Sequence, residues 1–139
     1  MPSRTFVAFP LSVPAARGYV EEALQDFPAE LRETAALLAS ELATNAVRHA
    51  GGQDFEVAVR RSAAERRLWV GVTDCGGHDP VVRRPDVTTE GGRGLQLVGL
   101  LADRWGVRRD RATDAKTVWF ELAVPDAAQV HGVRAVRGT

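Results

Sequence analysis

Four short stretches of this 139-residue chain carry side chains suited to chemistry. The first is Glu41, Asn45 and His49. Their i, i+4, i+8 spacing sets them on one face of a helix. Together they offer a proton acceptor, a neutral amide oxygen and an imidazole. Asn45 is the only asparagine in the chain, and asparagine is a poor helix-interior residue because its side chain competes for backbone hydrogen bonds. The second stretch is Asp74 followed by Cys75-Gly76-Gly77. A carboxylate leaving a strand end into such a turn can accept a hydrogen bond from an exocyclic amine, while glycine lets a flat ring approach the backbone. The third is Gly91-Gly92-Arg93-Gly94-Leu95 at the start of a helix. Its exposed N–H groups at the positive end of the helix dipole suit a phosphate. Arg93-Gly94-Leu95 does not supply the Gly-Lys-Ser/Thr ending of a P-loop. The fourth is Lys116-Thr117, which holds the only lysine. Taken singly, each stretch also has a plain reading: a solvated helix stripe, an Asp-Gly turn, a loop joined to a core helix, a turn lysine beside a strand threonine.

The elements that must position these residues follow from periodicity and punctuation. Residues 5–9 read as a first strand, closed by Pro10. Residues 15–26 have helical spacing, with Ser12 or Val13 before Pro14 as the start signal and Pro28 as the end. Residues 29–50 form the strongest predicted helix, with Leu31, Leu38, Leu42 and Ala46 on its apolar stripe and Gly51-Gly52 beyond its end. Residues 55–61 and 68–73 form a hairpin across a polar turn. Residues 74–93 are rich in Gly and Pro without sustained period, the mark of a binding loop or lid. A short apolar helix over 94–102 and strands over 105–109 and 117–124 complete the domain. The order β-α-α-β-β-loop-α-β-β predicts an α+β two-layer sandwich: a mostly antiparallel, mixed sheet with helices on one face. It lacks the βαβ context of a dinucleotide-binding fold. Residues 1–125 are expected to form a single domain and 126–139 a flexible tail.

Composition narrows the function classes. Lys+Arg and Asp+Glu are 18 each, for zero formal charge, which argues against a generally basic nucleic-acid binder. The arginines at 83, 84, 108, 109 and 111 are diluted by Asp86, Glu90 and Asp110. No apolar run approaches the roughly 18 residues of a membrane span, and Met1 to Pro10 has no signal-peptide pattern. The single cysteine, Cys75, forms no internal disulfide and no zinc cluster. A cytoplasmic location is the expectation.

In order, the pieces ELATNAVRHA, VTDCGG, GGRGLQLV and KTVWFEL resemble the N, G1, G2 and G3 boxes of the GHKL ATPase superfamily. They are most similar to its small, single-domain branch of bacterial serine-kinase anti-sigma factors and regulatory ATP-binding proteins. The resemblance runs from about residue 37 to 122, and the predicted element order agrees with that family's Bergerat fold. The run Asp74-Cys75-Gly76-Gly77-His78 departs from the family's Asp-x-Gly-x-Gly at its last residue.

The resemblance implies ATP and Mg²⁺ as cofactors. It implies that Asn45 ligates Mg²⁺ through its amide oxygen and that Glu41 is the general base for a hydroxyl nucleophile. Asp74 would accept a hydrogen bond from the adenine amino group, with Gly76 allowing the base to pack closely. Gly92, Arg93, Gly94 and Leu95 would surround the phosphates, and Thr117 would complete the adenine pocket. Arg48, His49 and Lys116 would be lesser contacts. The implied function is a serine/threonine protein kinase that acts as an anti-sigma factor. Its partners would be a sigma factor and an anti-sigma-factor antagonist, with a homodimer possible and no nucleic acid or membrane. The alternative is a non-catalytic ATP-sensing module in which nucleotide orders the 74–93 loop.

Overall fold

The protein is described here by a computed structural model, which covers residues 2–49, 53–74 and 92–125, with the backbone alone at 92–94. The chain runs β1 (Ser3–Phe6), α1 (Ser12–Ala23), α2 (Ala29–His49), β2 (Phe55–Ser62), β3 (Arg67–Asp74), α3 (Gly92–Leu101), β4 (Arg104–Arg109) and β5 (Lys116–Ala123). The five strands form one sheet in the order β1-β2-β3-β5-β4. Every pairing among the described residues is antiparallel, so the expected mixed sheet resolves into a purely antiparallel one. The α+β class and the order of elements are as the periodicity predicts.

Most boundaries shift by one to three residues from the sequence reading, and three of the shifts have a local reason. The first strand ends at Phe6, not at residue 9. Beyond it the backbone folds on itself, with the Phe9 N–H donating to Val7 O (2.9 Å) and the Ser12 N–H to Phe9 O (2.8 Å). Helix α1 begins at Ser12, within the expected start signal, and its cap falls one residue before it. Pro14 is its third residue, where a missing N–H costs no helical bond. Its N-cap is Leu11, with no side-chain capping bond, and Ser12 lies inside the helix. Strand β3 extends one residue further than predicted, so Asp74 is its last residue and not the first of a loop. The expected 126–139 tail, most of the 74–93 loop, and Gly76 within it lie outside the described residues.

The core lies between the sheet and the helical layer. Alternate residues of the central strands point inward: Val57 and Val59, then Leu68, Val70 and Val72, then Val118, Phe120 and Leu122. They meet Leu38 and Leu42 of α2 and Val20 and Leu24 from the α1 end. The buried alanines 35, 36, 39, 43 and 46 keep α2 slim. That lets α2 sit centrally, packed against both α1 and α3 while its leucines reach the sheet. Each large side chain here contributes about 1.5–3 kcal/mol by leaving water.

The other face of the sheet has no helix over it among the described residues, yet it is not bare. Trp69 lies flat across Gly71, where a Cβ would collide with the ring. Trp119 likewise lies over its cross-strand neighbour Gly106, with 2.9 Å between a built Cβ and the indole. The Arg60 guanidinium stacks 4.5 Å from the Trp69 ring centroid, and Trp69 is left 8% exposed. Next to it, Thr73 and Thr117 are directly opposite and share a hydroxyl hydrogen bond of 2.6 Å.

Candidate functional site

At one end of the sandwich the core opens into a cavity of about 210 Å³. Helix α2 contributes Leu42, Asn45, Ala46 and His49, and α3 contributes Leu95. The sheet floor is Val72 and Asp74 of β3, Lys116 and Val118 of β5, and Val107 of β4. The walls are mostly aliphatic, with four polar side chains converging on them. That is the usual make-up of a small-molecule site. Its volume is below the roughly 300–1,000 Å³ of a pocket that encloses a whole drug-sized ligand. It suits a group the size of a purine ring, with the rest of a nucleotide lying outside.

Strand alternation explains how Asp74 comes to the cavity. Leu68, Val70 and Val72 point toward the helices, so Asp74, two residues on, points the same way. It is 3% exposed and is the only buried acidic residue among those described. Burying a carboxylate is costly unless it is hydrogen-bonded, which marks this position as one with a polar task.

Helix periodicity does the same for α2. The buried line Leu38, Leu42, Ala46 and His49 faces the sheet. Asn45 is half-buried at the margin of that line and reaches the cavity wall. Glu41, one turn earlier, is also half-buried but is not part of the wall. His49 is 5% exposed in the last turn and forms the cavity's helical end. Arg48 is exposed on the outside of the helix.

The glycine stretch is helical from its second residue. Helix α3 starts at Gly92, so Gly92, Arg93 and Gly94 form its first turn, and Leu95 follows in the cavity wall. A first turn leaves backbone N–H groups without intrahelical partners, and no acidic residue occupies it to offset the dipole.

The pair at the start of β5 divides between the two sheet faces. Lys116 is directly opposite Asp74 and lines the cavity. Thr117 points to the far face, where its hydroxyl is bonded to Thr73. Of the residues singled out from sequence, Asn45, His49, Asp74, Leu95 and Lys116 therefore come together, and Thr117 does not join them. The aliphatic walls were not anticipated. Val72 and Val118 were legible as inward strand positions, whereas Val107 depends on the β4–β5 register, which no local pattern reveals.

The residues present fit an adenine nucleotide: a buried carboxylate in the wall of a mostly apolar cavity, and a helix whose first turn directly precedes the wall residue Leu95. Among the described residues no three His, Cys, Asp or Glu side chains converge. Asn45 would then give one neutral oxygen to a Mg²⁺ ion whose other ligands are phosphate oxygens and water, the usual arrangement for that ion. No helix among the described residues is long and apolar enough to cross a membrane.

The sequence profile described as histidine kinase-like ATPase domain matches residues 6–122. No curated protein matches the chain. Among solved structures, the chain is similar to one described as the RsbU and RsbW domains of Rv1364c from Mycobacterium tuberculosis. The TM-score is 0.61 at 16% sequence identity, over 89% of this chain and 33% of that one. This chain thus corresponds to about a third of that protein's length, and the likeness is one of fold.

Proposed function

The chain belongs to the histidine kinase-like ATPase domain family, of the GHKL type, and from that membership we propose that it is an ATP-dependent serine/threonine protein kinase acting as an anti-sigma factor. Family membership carries ATP binding with it. The reading beyond that rests on one observation: Asn45, Asp74 and Leu95, from three separate elements, line a single base-sized cavity.

In this reading Asp74 accepts the hydrogen bond of the adenine amino group, and Val72, Val118 and Leu42 exclude water around the ring. Gly76 lets the base pack against the backbone. Gly92, Arg93 and Gly94 present the first-turn N–H groups of α3 to the phosphates. Bound Mg·ATP supplies the transferable phosphoryl group, with Asn45 the protein's oxygen ligand to the metal. Glu41 takes the proton from a serine or threonine hydroxyl of the docked partner, directly or through one water. That partner is an anti-sigma-factor antagonist, a sigma factor is the second partner, and a homodimer is a possible assembly. The solved relative whose description includes an RsbW domain shares the fold this reading requires.

A second reading is a non-catalytic ATP-sensing module. Transfer of radiolabelled phosphate from ATP to the cognate antagonist separates the two. The kinase reading expects labelled antagonist with the wild type. It also expects a loss of about 10²–10⁴-fold with Glu41→Ala, the range for a general base, at unchanged ATP affinity. Unlabelled antagonist with intact ATP binding would leave the sensing module.

A further inference from the structure

The nucleotide reading above assigns one polar group, Asp74, to the base. The cavity wall holds a second charged group, Lys116, which is half-buried where Asp74 is buried. Lys116 is the cross-strand partner of Asp74, and both side chains line the cavity. Residues directly opposite on an antiparallel pair have Cβ atoms about 4.5–5.5 Å apart. A carboxylate and an ammonium so placed are both within reach of one ligand in the cavity. Lys116 is also the chain's only lysine, against 17 arginines in the 18 basic residues.

We propose that Lys116 is a base-reading residue and that, with Asp74, it admits guanine nucleotides as well as adenine nucleotides to this site. The inference rests on the nucleotide reading and adds its base specificity. An ionised aspartate only accepts hydrogen bonds and a lysine ammonium only donates them. Adenine presents an amino donor beside the N1 acceptor, so Asp74 takes the amino group and Lys116 donates to N1. Guanine presents N1–H beside the O6 acceptor, so Asp74 takes N1–H and Lys116 donates to O6. The order of donor and acceptor along the ring edge is reversed between the two bases. A rigid donor would reject one of them. The ammonium on its flexible four-carbon stem reaches either side of the carboxylate. Thr117, the neighbouring residue with a hydroxyl, faces the opposite side of the sheet and cannot serve this purpose.

Removing the ammonium affects the two bases unequally. Adenine keeps its amino-to-Asp74 bond and loses the weaker contact at a ring nitrogen. Guanine is left with its O6 carbonyl beside a buried carboxylate and no donor between them, the costly case of an unsatisfied buried polar group.

The test is equilibrium binding of ATP and GTP, each with Mg²⁺, to the full-length wild type and to Lys116→Met, which keeps the aliphatic stem length. The wild type is expected to bind GTP within about tenfold of ATP. Lys116→Met is expected to weaken GTP by about tenfold or more and ATP by no more than about threefold. Lys116→Arg, which restores a cation, should recover at least part of the GTP affinity. Wild-type discrimination against GTP beyond tenfold overturns the inference, as does a Lys116→Met loss that is equal for both nucleotides, the signature of a phosphate contact. In either of those cases ATP still binds, and the function proposed above survives. Failure of the wild type to bind either nucleotide sinks both.

Discussion

The two faces of the sheet solve different problems with neighbouring residues. The inner face, under the helices, is apolar along its length and becomes polar only at one end, where Asp74 and Lys116 line the cavity. The outer face is closed by its own side chains: two tryptophans laid over two glycines, an arginine on one indole, and a threonine pair. Lys116 and Thr117 are adjacent in sequence and fall on opposite sides. With a side-chain period of two, a one-residue shift changes which face a residue serves. Polar residues near a binding motif therefore acquire different roles according to register alone.

This contrast can be broken most severely from the inside. Phe120 is fully buried on the inner face of β5, and Phe120→Ala should cost about 3–5 kcal/mol by urea denaturation, the range for deleting a core aromatic. On the outer face the damaging change is an addition. Gly71→Ala drives a methyl into Trp69, and overpacking of this kind costs about 1–3 kcal/mol. A cost near zero would mean that the indole is free to move off the glycine.

Thr117→Val sharpens the comparison further. It removes the hydroxyl bonded to Thr73 and should cost about 0.5–1.5 kcal/mol while leaving ATP affinity unchanged. A large loss of affinity would bring Thr117 back into the base pocket, as the resemblance to the GHKL boxes implied.

The smallest effect lies at the helix-layer margin. A hydrogen bond from Arg61, above all, holds the Asp26 carboxyl below its ordinary value. The pair is exposed, with Arg61 Nη2 2.8 Å from Asp26 Oδ2, so it is worth less than about 1 kcal/mol. Its sign is set by linkage. The stabilisation is present above the unfolded-state carboxylate range, near pH 4, and is lost as pH falls through the lowered folded value. Asp26→Asn should therefore be slightly less stable than wild type at pH 7 and indistinguishable from it in strong acid.

Much of this architecture was legible in the sequence because local pattern and tertiary structure agree. The Leu38–Leu42–Ala46 spacing specifies the long helix, and strand alternation specifies which of Val70, Val72 and Asp74 share a face. The four motif stretches identified the family, and the matched residues 6–122 extend that identification over most of the chain. What was not legible depends on long-range register. The adjacency of β3 and β5, which sets Lys116 against Asp74, is made by strands separated by a long loop, a helix and another strand. The placement of Lys116 in the cavity wall and of Thr117 on the far face follows from that register, and no motif spacing encodes it. The start of α1 was legible from Ser12-Val13-Pro14, because proline is tolerated in a first turn, and only the cap fell earlier, on Leu11.

The central claim is that a buried carboxylate at the end of the middle strand reads the base of a nucleotide held between α2 and the sheet. Calorimetric titration of Mg·ATP into the wild type and into Asp74→Asn tests it most directly. The isosteric variant keeps the cavity's shape and removes the charge. The account predicts saturable binding by the wild type and a loss of about 10–100-fold in Asp74→Asn, the worth of one hydrogen bond to a charged group. Equal affinity for the two proteins, or no binding by the wild type, would contradict it.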